Sequence, residues 1–183
     1  MSGRQGTVRS RRELVADVLG ALTPARERRE LRSLLDIELL AGQVYALAGG
    51  ARSLSPAAQD LVRRLGAQEY AHVAALARLA GLPAGAPPSA AAAERTLAGH
   101  GITVAFASLR TEREWFTLLE ELERLLEGVY FHALGHLTNP AHALLLARIM
   151  ASEAQHSTLL FSFRNPRDIT LDVAEGQIKG RVR

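Results

Sequence analysis

The sequence predicts an all-α protein: an antiparallel four-helix bundle made of two helical hairpins joined by a long crossover. Three observations lead there. Alanine, leucine, arginine and glutamate dominate while aromatics make up only 5% of the 183 residues, a balance that favours helix over sheet. Four long stretches open on helix-start residues. The links between them run short, long, short, and short links imply antiparallel neighbours.

The first long helix is expected from about Pro24, a first-turn proline after Thr23, to Ala48, where Gly49 and Gly50 stop it. The second opens at "SLSPAAQ", with Ser55 as cap and Pro56 in the first turn, and ends near Gly81. The third opens at Thr111 with Glu114 three residues later, a capping box, and continues to about Thr138. The fourth opens at "TNPAH", capped by Asn139 with Pro140 behind it, and reaches about Phe163. The crossover between the second and third holds a small helix around Ser89–Leu97 and then an extended stretch, "GITVAF" (101–106).

This divides the chain into a basic arm over 1–23, the bundle over 24–163 and a tail over 164–183. Pro166 ends the last helix. The tail's β-branched residues lack helical periodicity, so it is expected to pair with "GITVAF" or with a neighbouring subunit. Its expected role is in assembly rather than in metal binding.

Composition closes several functional classes. With no cysteine there are no disulfides, thiolate metal sites or cysteine nucleophiles. No apolar run approaches the ~18 residues of a membrane span. The net charge of +3 comes from basic ends that read as solvated tails, and no nucleic-acid motif or phosphate loop occurs. "SRRELVADVLGALTPA" (10–25) starts like a twin-arginine export signal, but Asp17 interrupts its short apolar part. The expected location is the cytoplasm, with export through this degenerate signal as the alternative.

The chemistry lies in a repeat. Glu69 stands three residues before His72, and Glu153 three before His156. Pro56 precedes Glu69 by the same spacing as Pro140 precedes Glu153. In the partner helices Glu38 precedes Tyr45 by seven, and Glu123 precedes Tyr130 by seven. Positions i, i+3, i+4 and i+7 share a helix face, so all four glutamates interrupt apolar stripes. An isolated buried carboxylate costs several kcal/mol or neutralises. Two divalent cations remove the problem, and carboxylate oxygens with imidazole nitrogens suit iron or manganese. Glu127 is the runner-up to Glu123, because Glu120, Glu123 and Glu127 all lie near one face.

Over roughly residues 30–163 the chain resembles the ferritin-like superfamily. "IELLAGQVY" (37–45) is similar to the first-helix ligand motif of ferritins. "EYAH" and "EAQH" resemble the glutamate–histidine motifs of bacterioferritins, rubrerythrins and manganese catalases. The layout that includes "LERLLEGVYFHALGHLTNP" (122–140) looks most like bacterial desiccation-related domains. The resemblance implies Glu69 and Glu153 as bridging ligands, Glu38 and Glu123 as terminal carboxylates, and one metal on each of His72 and His156. Tyr45 and Tyr130 would hydrogen-bond ligands or donate electrons. The implied cofactor is a pair of iron (or manganese) ions per chain. No haem is expected, since the only internal methionine, Met150, is on the fourth helix.

The function implied is a dinuclear metal oxidoreductase acting on dioxygen or peroxide. Ferroxidase activity comes first, manganese-dependent peroxide disproportionation second. The alternative is a non-catalytic structural or desiccation-protective module, and mineral storage would require a hollow assembly. A homo-oligomer is expected. His100, His132, His136 and His142 read as exposed or loop-proximal groups, and Trp115 and Phe116 as core or interface.

Overall fold

Proline or a short polar cap opens three of the four hairpin helices, and these local signals set most of the architecture. The computed structural model describes residues 11–165. Five α-helices follow in order: α1 (Arg11–Gly49), α2 (Pro56–Ala80), α3 (Ala90–Gly99), α4 (Glu112–Leu134) and α5 (Pro140–Arg164). A short 3-10 turn at Phe106–Ser108 precedes α4, and no strand occurs among the described residues. The predicted antiparallel bundle of two hairpins and a long crossover is the observed one.

The caps act as their residue types predict. Ser55 Oγ accepts from the Ala58 amide with Pro56 behind it, and Gly81 ends α2 at a left-handed φ of 61°. Thr111 and Glu114 exchange bonds as a capping box at α4, and Asn139 Oδ1 accepts from the Ala141 amide at α5. Each hairpin loop is also held by a glutamate of the other hairpin. Glu112 accepts from the Ser55 amide at 2.7 Å, and Glu27 accepts from the Thr138 and Asn139 amides at 2.6 and 3.1 Å.

Some boundaries differ from expectation. α1 begins at Arg11, upstream of Pro24. Strong helix formers in "RRELVADVLGAL" and "ARERRE" flank the proline and offset its cost of about 3 kcal/mol in a helix interior. α4 stops at Leu134, short of Thr138, because Gly135 follows and Glu27 draws the Thr138 and Asn139 amides away from a continued helix. The "GITVAF" stretch forms no strand. Residues 1–10 and 166–183, which include most of the expected tail, lie outside the described residues.

α1 packs mainly on α2, and α4 on α5; α1 also meets α4, and α2 meets α5, while α3 rests on α1. Two apolar clusters fill the bundle. One gathers Val44, Tyr45, Val62, Leu119, Leu122 and Leu160; the other gathers Leu31, Leu35, Val73, Tyr130, Leu146 and Ile149. Between them, along the axis, the four interrupting glutamates fall at one level.

Candidate metal centre

Helix periodicity turns Glu38, Glu69, Glu123 and Glu153 inward, and all four are fully buried, at 0% exposure. His156 is also buried, and His72 is nearly so. The side chains form two groups, each with its ligand atoms within 4.8 Å of one another: Glu38, Glu69, His72 and Glu153; and Glu69, Glu123, Glu153 and His156. Glu69 and Glu153 belong to both groups. The structure therefore brings together all six residues singled out for metal.

His72 Nδ1 lies 2.8 Å from Glu153, 3.6 Å from Glu38 and 3.7 Å from Glu69. His156 Nδ1 lies 2.9 Å from Glu69, 3.2 Å from Glu153 and 3.7 Å from Glu123. These distances are short, yet the directions do not make hydrogen bonds. Both Nδ1 atoms, both oxygens of Glu69 and of Glu153, and one oxygen each of Glu38 and Glu123 are buried without a hydrogen-bond partner among the described residues. Eight such atoms cannot persist in an apolar core without compensation. Lone pairs from six residues converge on two shared points, which fits two cations with nitrogen–oxygen coordination.

Electrostatics shows the same demand for positive charge. Burial holds Glu38 and Glu123 well above the usual carboxylate range, and the negative neighbours Glu153 and Glu69 add to it. Burial works against charge on the imidazoles, but the surrounding glutamates overcome it and push His72 and His156 up to about 12. Glu153, also opposed by burial, is held down at about 2 by His156 and His72. Without cations, protons take up the positive role.

The two tyrosines complete a crossed pattern. Tyr45 on α1 donates to Glu123 on α4, and Tyr130 on α4 donates to Glu38 on α1. Burial and the nearby carboxylates push both phenols well above their ordinary range, so both stay protonated donors. The crossing also fixes α1 and α4 as antiparallel, as the contacts of His72 with Glu153 and of His156 with Glu69 do for α2 and α5.

Glu127 lies outside both groups; its carboxylate accepts from Ser157 Oγ at 2.6 Å. Glu120 pairs with Arg164 at 2.9 Å. Trp115 and Phe116 are core residues. Of the other histidines, His132 is exposed and touches His136, and His142 faces Glu27 at 3.0 Å. His100 is half-buried and lines a 480 Å³ cavity with Asp36. The sequence reading missed Gln68, whose Oε1 lies 2.8 Å from His156 Nε2. The available signal was its place directly before the first repeated glutamate.

Among the described residues no helix is long and apolar enough to cross a membrane. A family model described as a ferritin-like domain matches residues 28–165, which span the bundle from α1 to the end of α5. The match does not single out the desiccation-related group. No curated protein and no solved structure gives a significant match to the chain.

Proposed function

The chain belongs to the ferritin-like domain family, and from that premise we propose that it is a dinuclear metal oxidoreductase. Its first activity on this reading is ferroxidation with dioxygen or peroxide as oxidant, with manganese-dependent peroxide chemistry second. The observation that supports the reading is the pair of donor groups sharing Glu69 and Glu153, with eight buried atoms lacking hydrogen-bond partners.

Two ferrous ions bound there as substrate would supply two electrons on oxidation to ferric iron, enough, with two protons from solvent, to reduce one dioxygen to hydrogen peroxide. The chain's own residues do the rest. Glu69 and Glu153 link the two positions, and Glu38 with His72 and Glu123 with His156 complete one position each. Tyr130 and Tyr45 orient Glu38 and Glu123 through the hydrogen bonds they donate. The apolar clusters at either end keep bulk water away from the carboxylates.

The test is a single turnover. Anaerobic protein loaded with ferrous iron and mixed with oxygenated buffer should rapidly oxidise about two irons per chain, and Glu69→Ala should abolish the fast phase. Binding that raises stability without any oxidation would instead favour the non-catalytic protective module.

A further inference from the structure

The repeat that relates the two halves of the centre is broken at one pair of residues. Glu69 corresponds to Glu153 and His72 to His156, so the residue before each glutamate should correspond as well. That residue is Gln68 on α2 but Ser152 on α5. Gln68 spans the gap to α5 and accepts from His156 Nε2 at 2.8 Å. The bond keeps the proton on Nε2 and leaves Nδ1 facing the glutamates, the tautomer a cation needs. Ser152 is too short for the mirror-image contact. Its hydroxyl lies 3.4 Å from His156 Nε2 on its own helix, and among the described residues nothing hydrogen-bonds His72 Nε2. Exposure follows: the His156 side chain is 1% accessible and the His72 side chain 12%. Gln68 is itself exposed, so it stands between solvent and His156.

We propose that the α2/α5 face carries the inlet to the centre at His72, left open by Ser152, while Gln68 closes the equivalent route at His156. The inlet admits small hydrated divalent cations. Behind the His72 ring the carboxylates of Glu38, Glu69 and Glu153 take over from lost water ligands. The Glu38–His72 position exchanges directly with solvent, and the Glu123–His156 position is reached through the shared glutamates. The two positions therefore differ in their rates of filling and release. The inference rests on the proposed cation-binding role of this cluster.

Two substitutions outside both donor groups test it. Ser152→Gln installs the missing cover, and Gln68→Ser removes the existing one. Circular dichroism checks the fold of each, and Ser152→Ala controls for loss of the hydroxyl. The probe is Co2+ under anaerobic conditions, followed by stopped-flow visible absorbance and by equilibrium stoichiometry. Wild type should fill in two unequal phases. Ser152→Gln should slow the fast phase several-fold at unchanged stoichiometry, while Ser152→Ala leaves it alone. Gln68→Ser should bring the slow phase towards the fast one and weaken one site by about 10–100-fold, the usual effect of losing a ligand's orienting partner. Unchanged phases in Ser152→Gln, with two Co2+ still bound, would overturn the inlet while leaving the centre intact. Failure of wild type to bind Co2+ would overturn the centre and the inlet together.

Discussion

Tyr45 and Tyr130 are the residues through which each hairpin holds the other's terminal glutamate. Removing either hydroxyl leaves a fully buried carboxylate oxygen unpartnered, at a cost of about 1–3 kcal/mol. Tyr45→Phe and Tyr130→Phe should each lower urea-denaturation stability by that order. The two losses should be similar, because the residues are mates in the repeat. pH dependence is also set at this scale. His72 and His156 have folded-state pKa values raised from 6.5 to about 12. Their contribution to apoprotein stability is complete below about 6.5 and is lost as pH rises towards 12. Glu38 and Glu123, raised above 4.5, act in the same direction. Glu153, lowered to about 2, has the opposite sign: its contribution is present above 4.5 and lost as pH falls through 2. The denaturation midpoint of metal-free protein should therefore fall from pH 6.5 to pH 9. Cation-loaded protein should resist that fall, since cations replace the protons. That six side chains meet was legible from spacing alone. Glu123 was preferred to Glu127, although i and i+4 share a face, because a tyrosine follows it by seven as Tyr45 follows Glu38. Where Glu127 goes was not legible, and the hydroxyl of Ser157 shows it.

At the scale of helices, α1 and α2 approach closely because Gly66 has no side chain. A Cβ there would sit 2.9 Å from Tyr45 Cβ, near the backbone and unable to swing aside. Gly66→Ala should destabilise by about 1–3 kcal/mol through overpacking. It should also move Tyr45 off Glu123, so that a metal titration of the folded variant shows weakened binding. The hairpin starts were legible, because Ser55–Pro56, Thr111–Glu114 and Asn139–Pro140 are caps whose bonds lie within a few residues. The start of α1 was not, since Pro24 in a helix interior looks the same locally as Pro24 in a first turn. Glu27 was illegible for a different reason: it binds Thr138, Asn139 and His142, over a hundred residues away. Glu27→Gln should loosen this clamp on the α4–α5 loop. Amide exchange at Thr138 and Asn139 should rise while the centre of the bundle stays protected.

At the scale of the whole molecule, one hairpin is written twice, and the bundle pairs the copies so that four carboxylates and two imidazoles share a single buried level. Two apolar clusters enclose that level, and among the described residues the crossover helix α3 rests on α1. The central claim is that this level holds two cations joined by Glu69 and Glu153. Anomalous diffraction from crystals soaked anaerobically in ferrous iron, collected across the iron edge, addresses it most directly. The account predicts two peaks inside the bundle, one contacted by Glu38 and His72, the other by Glu123 and His156, with Glu69 and Glu153 touching both. A bundle without an internal peak, or with iron confined to surface histidines such as His132 and His136, would contradict it.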